Sequence, residues 1–186
     1  MTRIIFALVI GATAFSCSPS LSPFSSSLIK EYQYDDEALS QIQFYLSDDI
    51  VLQRQLRQGE STIDQGRISV RDGRRVEEIV FRSGTPGVYV FSPGDQKLAI
   101  SFERGEDRYL IFGPSSRSRR GGRGGSGIYG LLAKEWESDY GTITYDGKEY
   151  YTPARSAFVT LLVDIDSRVR VNREVKEVGG RTVRNR

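Results

Sequence analysis

The sequence predicts a mainly β fold: a single antiparallel β-barrel or β-sandwich domain of about nine strands with one short N-terminal helix. Three observations predict it. Short apolar runs alternate with period two, Asp-Gly pairs stand where two-residue hairpins need positive φ, and Gly/Pro/Asp turn clusters interrupt the middle of the chain at strand-length intervals.

In chain order, Asp35-Asp36-Glu37-Ala38-Leu39-Ser40-Gln41-Ile42-Gln43 opens with N-cap residues and places acids in a first turn. Leu39 and Ile42 follow at helical spacing, which predicts the short helix. From Gln43 the pattern changes. Phe44, Leu46, Asp48, Ile50 and Leu52 fall on one side of a strand, with Tyr45, Ser47, Asp49 and Val51 on the other. Asp72-Gly73 separates Arg67–Val70 from Val76–Phe81, and Asp146-Gly147 separates Thr142–Tyr145 from Lys148–Tyr151. Leu98, Ile100 and Phe102 alternate with Ala99, Ser101 and Glu103, as in a strand wet on one face. Val88–Phe91, Tyr109–Phe112 and Phe158–Val163 are apolar on both sides and read as interior strands, the last with a helical segment as alternative. The β-rich domain so read covers 35–166, and counting runs from Gln43 to Ile165 leads to the strand number.

The N-terminus has a different character. Met-Thr-Arg precedes an apolar run from Ile4 to Phe15, too short to cross a hydrocarbon core of about 30 Å as a helix. It reads as an export signal over 1–16. The run Ala14-Phe15-Ser16-Cys17 resembles the lipobox of bacterial lipoproteins, in which a small residue precedes an obligatory Cys that becomes the lipidated N-terminus; Ala14 and Phe15 depart from the commonest residues of that pattern. The resemblance implies acylation at Cys17 and anchoring to a membrane, since two long chains hold far more firmly than one. Ala12-Thr13-Ala14 offers a competing secretory cleavage before Phe15, leaving a soluble periplasmic chain with a free thiol. Cys17 is the only cysteine, which favours lipidation as its purpose. Ser/Pro-rich residues 17–34 read as the lipidated Cys and a flexible tether. Ser18 after the Cys resembles lipoproteins forwarded to the outer membrane, so the periplasmic face of that membrane is the expected location. The remainder is similar in general character to uncharacterised lipoproteins of Bacteroidota.

Absences limit the chemistry. The chain has no His, and Cys17 has no disulfide partner, which excludes Ser-His-Asp and Cys-His nucleophile systems and Cys/His zinc sites. No cofactor is implied. Charge is segregated within a net +2: residues 115–127 carry a local +4 and 167–186 a local +5. With Arg3 set aside as well, the rest of the chain stands near −8.

The first basic segment, Arg-Ser-Arg-Arg-Gly-Gly-Arg-Gly-Gly-Ser-Gly, places Arg117, Arg119, Arg120 and Arg123 on a flexible backbone. It suits a polyanion, for which lipopolysaccharide phosphates are nearer at hand than nucleic acid; the plain alternative is a long hairpin loop. The second, 167–186, alternates Val with Arg or Lys as a basic edge strand or tail. Asp164 and Asp166 would leave one strand face about 7 Å apart, the least unsuited carboxylate pair for a hydrolase, with solvated acids at a strand exit as the plain reading. Asp48-Asp49 and Glu77-Glu78 point to opposite faces. Lys148 and Ser156 lack the spacing of a Ser-Lys couple. Trp136, Tyr145, Tyr150 and Tyr151 suit either a stacking surface or core packing. The function expected is a membrane-anchored, non-enzymatic binding or scaffolding module of the envelope, with an envelope polyanion or protein as partner. The alternatives are a small-molecule or lipid carrier with a barrel cavity, and a carboxylate-only hydrolase.

Mass spectrometry of the mature N-terminus tests the anchor. An acylated Cys17 is expected, abolished in Cys17→Ser, whereas an unmodified chain beginning at Phe15 would overturn it.

Overall fold

The computed structural model describes residues 20–56, 67–71, 74–94, 96–115 and 127–164. They form two antiparallel sheets packed as a sandwich, with few helical turns. The seven-stranded sheet has the order β1 (Leu21–Pro23), β13 (Leu161–Asp164), β2 (Gln43–Leu46), β6 (Pro86–Gly94), β7 (Lys97–Ser101), β8 (Leu110–Ser115) and β9 (Ile128–Leu131). The six-stranded sheet has the order β10 (Glu135–Trp136), β11 (Tyr140–Tyr145), β12 (Lys148–Pro153), β3 (Ile50–Gln55), β5 (Arg74–Phe81) and β4 (Arg67–Arg71). The ends of the larger sheet approach each other without a continuous ladder. Isolated bridges join Ser25 to Ile128 and Gly130 to Thr160.

Among the described residues from Gln43 to Asp164 there are thus twelve strands, where about nine are expected. Part of the difference is that the run from Phe44 to Leu52, which reads as one strand, bends from one sheet into the other. β2 and β3 are halves of one run broken at residues 47–49, and β5 and β6 are halves of another broken at 82–85; β2 pairs with β6 and β3 with β5. The crossing is fastened by side chains. Asp49 accepts from Arg82 Nη1 at 2.7 Å and from the Ser83 N–H at 2.8 Å, while Ser83 Oγ donates to the Ser47 carbonyl at 3.0 Å. Gly84, at φ 76°, takes the positive φ of the turn closed by Thr85 N–H on the Arg82 carbonyl. A second crossing runs from β9 to β10, where Leu132 N–H donates to Ile111 in one sheet and Lys134 N–H to Thr142 in the other.

The expected tether is not a tether from Leu21 onward. β1 pairs with β13, and Phe24 is wholly buried, with its ring 5.2 Å from Phe44 and 5.1 Å from Tyr129. One large aromatic residue outweighs the Ser/Pro composition around it, because burying it stabilises the fold by about 1.5–3 kcal/mol. Helix α1 (Ser26–Tyr32) follows, with Ser25 Oγ accepting from Leu28 N–H. Helix α2 (Asp36–Ser40) is the expected one, capped by Asp35 accepting from Ala38 N–H. Among the described residues there are therefore two short helices where one is expected, plus a 3₁₀ turn over Ala154–Phe158 that takes Phe158, the first residue of the run expected as a strand.

A second aromatic series, Phe112–Phe102–Phe81–Tyr145–Tyr150, runs across the space between the sheets with centroid separations of 5.5–6.4 Å. The Asp146-Gly147 hairpin has both residues at positive φ, 50° and 69°, as its sequence predicts. Across the other hairpin Arg71 pairs with Arg74, while Asp72-Gly73 lies outside the described residues.

The Ser83 N–H, with the Arg82 guanidinium beside it, holds the Asp49 carboxyl below its ordinary value of 3.8. A carboxyl whose pKa is lower when folded adds stability above its unfolded pKa and loses it as pH falls through the folded one. Urea midpoints measured from pH 7 down to pH 2.5 should therefore drop more steeply below about pH 4 in the wild type than in Asp49→Asn. Parallel curves would contradict the corner's dependence on this charge.

Candidate functional site

A cleft of about 630 Å³ opens at the second crossing, between the outer face of the seven-stranded sheet and the flank of β11. Phe91, Ile111 and Leu132 lie along its floor, set side by side by the fully buried Ala99, which pairs with both Phe91 and Ile111, and by the Leu132 N–H bond to the Ile111 carbonyl. Ala133 and Ile143 complete the wall. Phe91 is 38% exposed and packs edge-on against Tyr109 with centroids 5.1 Å apart. Lys97 and Lys134 also line the cleft, and Lys134 is paired with Glu149 at 3.0 Å. Both members of that pair are well exposed, so it contributes little to stability.

Phe91 reaches this face because of a β-bulge. Tyr89 pairs with Ile100 but Phe91 with Ala99, so Val90 is one residue more than β7 can match. Strict alternation from the buried Tyr89 would turn Phe91 inward; the extra residue turns it outward. Gly113 makes room beneath, since a Cβ there would stand 2.7 Å from Leu132 Cδ1.

At the Asp107–Gly147 end, a polar cluster joins the loop after β7 to the β11–β12 hairpin. Tyr145 Oη donates to Glu103 at 2.5 Å, and Arg108 lies 3.7 Å from the same carboxylate and 3.3 Å from Asp146. Burial, reinforced by Glu103, pushes the Tyr145 pKa far up, and the phenol is a fixed donor with no role as a base at neutral pH. The described lining of the cleft thus offers apolar contact together with the cations Lys97 and Lys134, and the bonded polar cluster stands beside it.

A second cluster lies on the inner face of the six-stranded sheet. Glu77 is fully buried and accepts from Arg54 Nε at 3.0 Å, Arg54 Nη2 at 2.8 Å and Tyr150 Oη at 3.1 Å, and Arg54 stands 5.7 Å from the Tyr150 ring centroid. Burial opposes the Arg54 charge, yet the bonds to Glu77 outweigh it and raise its pKa. Tyr150 is pushed up to about 12 by burial and by Glu77. These residues do not line the cleft, and the cluster reads as structural.

Cys17, Arg117, Arg119, Arg120 and Arg123 lie outside the described residues, as does Asp166. The strands flanking the arginines, β8 and β9, are an antiparallel pair with Ser115 opposite Ile128. Asp164 ends β13 opposite Leu21. Glu77 and Glu78 do face apart, Glu78 accepting from Gln53 at 2.6 Å. The aromatic set divides: Tyr145 and Tyr150 are core, Trp136 covers Gly141, and Tyr151 stands 54% exposed beside Tyr140. Ser156 is buried, accepting from Thr152 Oγ1 at 2.8 Å. The cleft residues were signalled by Val88–Phe91 and Tyr109–Phe112, apolar on both sides. Those runs are not interior, because Val88 and Val90 are each half exposed and Tyr109 and Ile111 partly so.

Glu77→Ala leaves Arg54 without its carboxylate and should cost about 3–5 kcal/mol in chemical denaturation, while Glu77→Leu with Arg54→Met should recover most of the loss. A single-variant cost below about 1 kcal/mol would show that the pair does not secure the sheet. Comparison with protein-family models, with curated proteins and with solved structures finds no match for the chain, so the site is read from its geometry alone.

Proposed function

We propose that this protein is a lipid-anchored, non-enzymatic binding module of the bacterial envelope, tethered through Cys17 at the periplasmic face of the outer membrane, whose cleft receives an anionic amphiphile. The observation that carries the proposal is the row Phe91–Ile111–Leu132 on the outside of a sheet, where an unused face would be polar. A cleft of about 630 Å³ lies within the size of small-molecule and lipid-group sites.

The anionic character rests on chain connectivity. β8, which supplies Ile111 to the floor, continues to Ser115, and Arg117, Arg119, Arg120 and Arg123 follow directly in the sequence. Ile111 and Ser115 are about 14 Å apart along a strand, so arginines on a Gly-rich connection are within reach of a phosphate whose acyl or aromatic part enters the cleft. Phosphorylated envelope lipid joins both features in one molecule. The absence of His and of any activated group in the cleft fits binding rather than turnover.

Co-sedimentation of the purified acylated protein with lipopolysaccharide, repeated over a salt series, tests this. Arg117, Arg119, Arg120 and Arg123 changed together to Ser should weaken binding and flatten its salt dependence. Phe91→Ala with Tyr109→Ala should weaken it at every salt concentration. Wild-type binding by both variants would sink the proposal.

A further inference from the structure

A smaller cavity of about 270 Å³ lies on the other flank of the β6–β7 hairpin, beneath α1 and α2. Ile29, Leu39 and Leu98 form its apolar side, and Ser26, Lys30 and Tyr129 its polar side. Tyr129 is wholly buried, its ring packed edge-on against Phe24, and its hydroxyl has no hydrogen-bond partner. Ser26, on the same cavity wall, is near enough to lower the Tyr129 pKa slightly against the larger upward push of burial. It makes no well-formed bond to Tyr129, and its own hydroxyl is directed to the Gly127 carbonyl at 3.4 Å.

A buried hydroxyl without a partner is rare enough to need a cause. Phenylalanine would fill the same space without that cost, so the hydroxyl has a use on the cavity side. Burial keeps it protonated, and a protonated phenol with an ammonium near it calls for an acceptor. Asp36 also lines the cavity; it accepts from Tyr89 Oη at 2.7 Å, a bond that turns its carboxylate toward β6 and leaves its charge in place. That bond also fastens α2 to β6 as the roof. What remains is a donor at the base, the Lys30 cation at the rim and an aliphatic wall between them.

We infer that this cavity binds a small monocarboxylate with an apolar body, its carboxylate accepting from Tyr129 Oη and facing Lys30 while its chain lies against Ile29, Leu39 and Leu98. The site is separate from the cleft proposed above, and each can fail without the other. Water alone could fill the space, but it would favour no carboxylate over an alcohol.

The test is an amide NMR titration of the full mature chain with hexanoate, and with 1-hexanol as a probe of equal chain length and no charge. Hexanoate should shift the amides of Ser26, Leu98 and Tyr129 saturably and bind at least tenfold more tightly than hexanol. Tyr129→Phe should keep the fold and weaken hexanoate by about tenfold or more, the loss expected for a hydrogen bond to a charged group. Lys30→Gln, at an exposed position, should weaken hexanoate and leave hexanol unchanged, and it keeps the test decisive if Tyr129→Phe does not fold. Equal affinity for the two probes, unaltered binding in both variants, or no saturable shift would each overturn the inference.

Discussion

The structure depends on one constraint: two long strands must each serve both sheets. β2–β3 and β5–β6 form a single antiparallel ribbon that turns a corner, and a ribbon cannot turn without interrupting its ladder. Asp49 fills that interruption, binding the Ser83 backbone and the Arg82 side chain of the opposing strand. Ser47 adds a third chain to the same corner, exchanging bonds with the backbone of Thr160 just before β13. Three distant parts of the sequence are thereby brought into register at one place, and the two sheets inherit their relative position from it.

The interior follows from this corner. Phe81 sits at the end of β5 just before the bend, where it touches Phe102 and Tyr145 and so joins aromatic residues from both sheets. Further along the same strand pair the core ends at Arg54 and Glu77, paired directly across β3 and β5. A buried ion pair is a weak source of net stability. Its effect is on alternatives, because a one-residue slip between β3 and β5 would move Glu77 to face Gln53 or Gln55 in place of its arginine. The charged end of the core and the clasped end therefore fix the same register from two sides.

Features encoded by neighbouring residues were legible in the sequence. Asp35 as an N-cap, Asp146-Gly147 as a hairpin and the general alternation of strands each depend on a few adjacent side chains, and each takes the conformation its residues predict. Features that depend on a distant partner were not. Phe24 reads as part of a Ser/Pro-rich linker until Phe44 and Tyr129 stand beside it. Asp48-Asp49 reads only as two acids pointing to opposite faces until Arg82 and Ser83 stand beside Asp49. The corner at 47–49 preserves the period-two pattern on either side, so one strand is read where two occur in different sheets. The cleft was half legible: its runs were visibly too apolar for one wet face, yet burial on both faces is the simpler explanation of such a run.

The bulge at Val90 shows why that explanation failed. One unmatched residue reverses the facing of Phe91, ahead of a second register shift before Gly94, so Tyr89 points inward to reach Asp36 while Phe91 points outward to meet Tyr109. The hairpin that follows then divides its side chains between two cavities, Pro93 and Lys97 with the cleft, Ser92 and Gln96 with the pocket beneath the helices. A regular ladder would give this hairpin one inner and one outer face and a place for a ligand on neither. Because the shift in register is local, the sheet below it keeps Leu98 and Ile100 in the core and accommodates both cavities without loss of packing. The position of the extra residue, rather than the apolar content of the strand, decides which side chains are available at the surface.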